Sequence, residues 1–221
     1  FKHKTAYEIS LGLVGSEMCI RDRDKIAEGI AYYSGLSKEF VLNSNLRVNA
    51  SSFRKELLRK EGYSVGRLDS RYKGKDYIVA GERPDTDISS EGFSAAYVSG
   101  LHTWLSEIGV NIKRLYRSGD NDLGKNWDWY STQSGWPRFV NVAPHIGRAM
   151  RENIDFKVYV ACGIYDLATP CFTATNTMHE NGIDPSRVKF TEFEGGHMMY
   201  NHQPSFDKFL NEVRDFVKDK E

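Results

Sequence analysis

Two short apolar runs, each followed by a helical pattern, constrain this chain more than any other feature. Phe156-Lys157-Val158-Tyr159-Val160-Ala161-Cys162 suits a buried strand. The segment GIYDLATP breaks it, and Pro170 is well placed in the first turn of a helix expected to run to Asn181, with Gly182 ending it. A second strand is expected over Val188–Phe193. Pro204 then opens a last helix, with Phe206, Phe209, Leu210, Val213, Phe216 and Val217 on one stripe at i, i+3, i+4, i+7 spacing. Strand, helix, strand, helix implies parallel strands with right-handed crossovers, an α/β arrangement. Two strands make no stable sheet alone, so the rest of that sheet is expected from outside the region.

Each strand delivers one polar group just past its C-terminal end. Asp166 follows the first, and His197 follows the second in the stretch EFEGGHMMY. In open parallel sheets that edge is where ligands bind. The Gly195-Gly196 pair lets the backbone turn sharply, which presents His197 at the strand end. A carboxylate beside a histidine fixes its tautomer and stabilises the imidazolium formed when it takes a proton. Chain order Asp then His before a terminal helix is that of the α/β-hydrolases. Position alone also allows an Asp that caps the following helix and a His that bonds locally.

Residues 24–150 read as a mainly helical region joined by polar loops. Residues 50–61 carry Phe53, Leu57 and Leu58 on one face, with Asn49 as N-cap. Residues 93–108 place Phe93, Ala96, Tyr97, Leu101, Trp104, Leu105 and Ile108 at helical spacing, and Gly109 is the stop. The loop RSGDNDLGKNWDWYSTQSGWP holds Trp127, Trp129 and Trp136, which either line a pocket or anchor the loop. The organisation expected is therefore residues 1–23, a helical cap or insertion over 24–150, and a strand-and-helix core over 151–221.

Composition narrows the function classes. The chain of 221 residues is 40% hydrophobic and 13% aromatic, which indicates a folded domain with a real core. Thirty basic and thirty acidic side chains cancel, and no stretch is strongly basic, so nucleic acid is not the expected partner. No apolar run approaches the ~20 residues of a membrane span, so no membrane partner is expected. Cys19, Cys162 and Cys171 show neither metal spacing nor a disulfide framework, and His179 and His202 show no metalloprotease spacing. No metal and no cofactor are expected.

The first 23 residues, FKHKTAYEISLGLVGSEMCIRDR, lack signal-peptide anatomy. Residues 13–23 resemble the in-frame translation of a transposase-type sequencing adapter, and residues 4–9 that of a flow-cell primer. The segment is expected to be non-native, with the authentic chain starting near Asp24. Setting aside Lys2, Lys4, Arg21 and Arg23 with Glu8, Glu17 and Asp22 leaves 26 basic and 27 acidic side chains, still near neutral.

GIYDLATP and EGGHMMY resemble the Asp and His motifs of the serine carboxypeptidase-like family, particularly its bacterial members. YYSGLSKEFVLNSNLRV and ELLRKEGYSVGRLDSRY resemble the helical insertion those proteins carry between nucleophile and Asp. The resemblance covers residues 24–221 and is densest over 156–204. It implies an α/β-hydrolase fold, of which this chain holds the C-terminal part of the sheet and the cap. It also implies that Asp166 and His197 are two of three triad members, that a peptide is the substrate, and that a C-terminal amino acid is released. Met198 also matches the family pattern. The family's Gly-Glu-Ser-Tyr-Gly-like elbow does not occur, so the chain reads as a fragment lacking its nucleophile. Gly62-Tyr63-Ser64-Val65-Gly66 satisfies G-x-S-x-G, but an elbow needs a strand before it and a helix after it, and Ser64 reads as a loop residue. The scaffold also hosts acyltransferases and non-catalytic binding proteins. Export is the family's common localisation.

Overall fold

The computed structural model describes residues 22–111, 116, 121–127 and 141–218. Residues 1–21, on which most of the adapter reading falls, lie outside the described residues, as do Trp129 and Trp136. Asp22 and Arg23 are helical and continue without a break into the helix α1, 22–34. Arg23 donates to the Leu42 carbonyl and to Asn45 Oδ1, both at 3.0 Å, so the expected boundary at Asp24 falls inside an anchored helix.

The chain forms two compact units. The first is Phe1–Val65 with Lys73–Thr86; the second is Gly66–Tyr72 with Asp87–Glu221. In the first, α1 is followed by α2 (Lys38–Asn43), α3 (Ala50–Glu56), a single 3₁₀ turn (Arg59–Glu61) and a two-stranded antiparallel ribbon, β1 (Tyr63–Val65) with β2 (Lys73–Lys75). Asn49 caps α3 as its position suggests, its Oδ1 accepting from the Ser52 N–H at 3.0 Å. The helix ends at Glu56, earlier than residue 61, because the chain tightens into the 3₁₀ turn, which closes on left-handed Gly62 at φ +75°. Ala27, Leu36 and Val41 form a small core with Phe53 and Leu57 packed on it.

This unit also buries charge. The Lys55 side chain is 1% exposed and Asp76 3%, with Nζ 2.5 Å from Oδ2. Nζ also donates to the Ile78 carbonyl at 2.6 Å, so the ammonium is satisfied twice over. Burial pushes the Asp76 carboxyl up, but Lys55 and the Asp85 N–H outweigh it and hold it below the ordinary carboxylate value.

The second unit contains α4 (Ile88–Glu107), α5 (Asn121–Asn126), α6 (Ala143–Glu152), β3 (Val158–Gly163), α7 (Cys171–His179), β4 (Val188–Phe193) and α8 (Gln203–Lys218). The strands β3 and β4 pair in parallel over their full lengths, Val158 opposite Val188 and Gly163 opposite Phe193. The mixed α/β character read from the sequence is therefore present, with the crossover running through α7. Asn181 and Gly182, at φ +63° and +68°, turn the chain out of α7. Helix α6 packs through Ala143 and Met150 against Ile183 and Val188, next to the strands.

Helix α8 lies on one face of the sheet. Phe209 packs at 5.9 Å from Phe193, and Phe216 at 5.5 Å from Tyr159, ring centroid to centroid. The stripe read from the sequence differs at one end. Val217 is exposed, and Glu212 faces the strands, accepting from Thr191 Oγ1 at 2.5 Å and Tyr159 at 3.1 Å. Helix α4 starts at Ile88, one turn before Phe93, because Asp87 caps it. Its expected apolar stripe is half bare: Tyr97, Trp104 and Ile108 are exposed. Its described contacts gather at the N-terminal half, where Tyr72, Phe93 and Tyr97 stack edge to face. The short helix α5 stands where a loop was expected, and Trp127 after it is exposed.

Candidate functional site

A close crossing of two loops builds the site. After β3 the Ile164 N–H donates to the Phe193 carbonyl at 3.0 Å, and the Tyr165 N–H to the Gly195 carbonyl at 2.9 Å. The loops can approach this far because Gly163 has no side chain: a Cβ there would stand 2.6 Å from the Gly195 oxygen. Asp166 and His197 are thereby brought to the C-terminal edge of the parallel pair, the place the strand order assigns them.

Nδ1 of His197 lies 2.8 Å from Oδ2 of Asp166. The carboxylate is 4% exposed and the imidazole 43%, so one partner is buried and the other is open to solvent. Asp166 is further held by the N–H groups of Ala168 (2.7 Å) and Thr169 (3.0 Å) on Oδ1, and by the Thr169 hydroxyl on Oδ2 (2.6 Å). Burial, the largest influence, raises the carboxyl. The Thr169 hydroxyl and N–H, His197 and the Ala168 N–H outweigh it and keep Asp166 below the ordinary carboxylate value, hence ionised at neutral pH. An ionised Asp166 on Nδ1 selects the tautomer that carries its proton there, leaving Nε2 as the basic nitrogen. Among the described residues no group hydrogen-bonds Nε2.

Of the two positional readings of Asp166, the cap on the following helix is not made, and the contact with His197 is. The carboxylate does cap backbone N–H groups, but those of its own loop, and it bonds His197 at the same time. Helix α7 itself begins after Pro170 with no side-chain cap.

A third segment meets both loops. In 66–72, the GRLDSRY stretch, the Arg67 carbonyl accepts from the Leu167 N–H at 3.0 Å, and the Leu68 carbonyl accepts from the His197 N–H at 2.5 Å. Ser70 N–H donates to the Tyr165 carbonyl at 3.0 Å, and the Arg71 guanidinium stands 4.8 Å from the Tyr165 ring centroid. Arg71 also grips Asp69 at 2.7 and 3.0 Å. Beside His197, Met198 lines a cavity of about 130 Å³ with Leu68, Tyr72, Phe93 and Asn201.

The other candidates fall elsewhere. Ser64 lies in the first unit, in the middle of β1 rather than in a loop, 1% exposed and with no hydrogen-bond partner for its hydroxyl among the described residues. No helix follows it, so the strand–turn–helix of a nucleophile elbow is missing. His202 pairs with Ser205 at 2.9 Å and His179 with the Thr175 carbonyl at 2.8 Å, both local bonds. The expectation of no disulfide is corrected: Cys162 and Cys171 are bonded, their Cα atoms 5.5 Å apart, closing a ring around the Asp166 loop. Their sulfurs and Glu192 lie within 4.8 Å of one another, but the bond between the sulfurs occupies the groups a metal would need as thiolates. The signal for the disulfide was the return of the chain from a strand end to a helix start, nine residues on. Thr169 was also missed; a hydroxyl three residues after a loop Asp is a recognisable turn pattern.

Compared with known proteins, the chain matches no family model, no curated protein and no solved structure. Among the described residues, no helix is long and apolar enough to cross a membrane.

Proposed function

We propose that this chain carries the Asp–His part of a serine carboxypeptidase-like hydrolase of α/β-hydrolase fold. The observation that supports it is the 2.8 Å contact between His197 Nδ1 and a buried, ionised Asp166 at the C-terminal edge of two parallel strands. In this reading Nε2 takes the proton of a serine hydroxyl as its oxygen attacks the carbonyl of a peptide's last bond. His197 then hands that proton to the departing amine, which leaves as the C-terminal amino acid. Water repeats the sequence on the acyl-enzyme, and Asp166 stabilises the imidazolium in both halves. In this reading Ser64 is not that serine, since it sits in mid-strand with no helix after it, and the nucleophile and oxyanion donors have to be supplied to the Asp–His pair.

The test is complementation. A fluorophosphonate probe should leave the 221-residue chain unlabelled. Supplying a family-typical nucleophile-bearing half upstream of Asp24 should give both labelling and release of C-terminal amino acids from blocked dipeptides. In that protein His197→Ala should abolish turnover, and Asp166→Asn should lower it about 10⁴-fold, the magnitude of losing the correct tautomer. Transfer of the acyl group to an added alcohol in preference to water would assign an acyltransferase instead. Labelling of the isolated chain, or full turnover with Asp166→Asn, would overturn the reading.

A further inference from the structure

We propose that Asp87 and Ser89, at the N-terminus of α4, are positioning residues for His197, acting through a two-residue strut, Arg67 and Leu68. The inference rests on the reading of His197 as the proton-transferring residue. Both peptide groups of the strut are bridging. Arg67 gives its N–H to Asp87 Oδ1 at 2.8 Å and its carbonyl to the Leu167 N–H at 3.0 Å, on the loop of Asp166. Leu68 gives its N–H to the Ser89 hydroxyl at 3.1 Å and its carbonyl to the His197 N–H at 2.5 Å. The Ser89 hydroxyl in turn donates to Asp87 Oδ1 at 2.6 Å. A continuous line of hydrogen bonds therefore runs from one carboxylate oxygen to the backbone of His197 and to that of Leu167, the residue after Asp166.

Helix capping alone does not account for this. A capping Asp spends its oxygen on the N–H two or three residues ahead. Here that bond, from Ser89 N–H, is 3.3 Å, longer than the 2.8 Å bond the same oxygen accepts from Arg67. The carboxylate is set for the strut more closely than for its own helix. Ser89 is fully buried, so its hydroxyl serves the interior and not solvent. Space is cleared on both sides of the strut by residues without side chains. A Cβ on Gly66 would stand 2.7 Å from Ser89 Cβ, and one on Gly196 would stand 2.5 Å from Asp69 Cβ.

The reason to hold a backbone this way lies in the ring it carries. The His197 imidazole is open to solvent and is tied only at Nδ1, so the direction of Nε2 depends on where the main chain of His197 and the Asp166 loop are placed relative to each other. The strut fixes that relation from one rigid helix end. A misplacement of about 1 Å can cost 10² in rate, which is ample reason for such a device.

The test uses the 221-residue chain and the His197 Nδ1–H proton seen by NMR, assigned by its loss in His197→Gln and in Asp166→Asn. In Ser89→Ala and in Asp87→Ala, exchange of that proton with water should quicken about tenfold, which corresponds to one net hydrogen bond of about 1.4 kcal/mol. Asp87→Asn, which keeps an accepting oxygen, should stay near the parent. Asn49→Ala removes the cap of α3 in the other unit and controls for a plain loss of capping. Exchange in Ser89→Ala and Asp87→Ala no faster than in Asn49→Ala would overturn the inference. A parent chain with no such proton would mean that the Asp166–His197 pair does not form, overturning it as well. Failure of the hydrolase reading shows separately, as absent labelling of the complemented protein.

Discussion

His197 meets Asp166 through a single carboxylate oxygen, Oδ2 at 2.8 Å, and the Thr169 hydroxyl reaches the same oxygen at 2.6 Å. The other oxygen is taken by two backbone N–H groups. The carboxylate accepts four hydrogen bonds from within the protein, and each donor favours its charged form.

That arrangement gives stability a pH dependence of known sign. The folded Asp166 carboxyl lies below its ordinary value, so the unfolded chain binds the proton more readily. Its stabilisation is complete above the unfolded value of about 4 and is lost as pH falls through the lower folded value. The difference in urea midpoint between the parent and Asp166→Asn should therefore shrink on acidification from pH 7 to pH 3. A constant difference over that range would show that the ionised form is not favoured by folding.

Ser64 bears on both stability and chemistry. Its hydroxyl is buried without a partner among the described residues, which costs about 1–3 kcal/mol of desolvation. Ser64→Ala should be neutral or should raise the unfolding free energy, by up to about 1 kcal/mol, and should leave turnover of a complemented protein unchanged. A loss approaching 10⁶-fold would instead make Ser64 the nucleophile.

Two glycine substitutions should move in opposite directions. Gly196→Ala drives a methyl into the Leu68 carbonyl and to within 2.5 Å of Asp69 Cβ, and backbone has little room to yield. A cost of about 1–3 kcal/mol is expected. Gly100, within α4, has nothing within 4 Å of a built Cβ, and Gly100→Ala should stabilise by about 0.5–1 kcal/mol. Equal effects in chemical denaturation would contradict the packing described.

The buried pair in the first unit offers a double-mutant cycle. Lys55→Met strands the Asp76 carboxylate and should cost about 3–5 kcal/mol. Adding Asp76→Leu should restore much of that loss. Additive single effects would mean that the two charges do not depend on one another.

The parallel strands β3 and β4, and the nearness of Asp166 to His197, were legible because they follow from local pattern. Val188–Phe193 reads as a short strand-like run ending in a glycine pair, and its parallel partner follows from the intervening helix. Asp166 and His197 are found by asking what each strand delivers at its end. The rest depended on contacts that no local pattern encodes. Leu68 makes these bonds through its main chain alone, and Arg67 mainly so, its guanidinium adding only a 3.5 Å contact with Asp87, so side-chain pattern carries little signal of the arrangement. Ser64 stands between Tyr63 and Val65, but a run of three residues closed by Gly62 and Gly66 is too short to read as a strand, and it exists because Lys73–Lys75 returns to pair with it. Glu212 broke the stripe of α8 because the face it meets offers two hydroxyls, from Tyr159 and Thr191, and not apolar carbon alone.

The placement of residues 66–72 has a consequence for recombination. These seven residues are embedded in the upstream helical region by sequence, yet they belong to the compact unit that holds α4 to α8, while the chain on either side of them belongs to the other. Crossover points chosen by sequence, at the ends of the upstream helical region, would import a foreign Arg67–Leu68 pair against a native His197. A chimaera that exchanges residues 24–65 and 73–86 but keeps 66–72 with its own C-terminal partners leaves each compact unit whole, and any exchange of the first unit would have to follow that division.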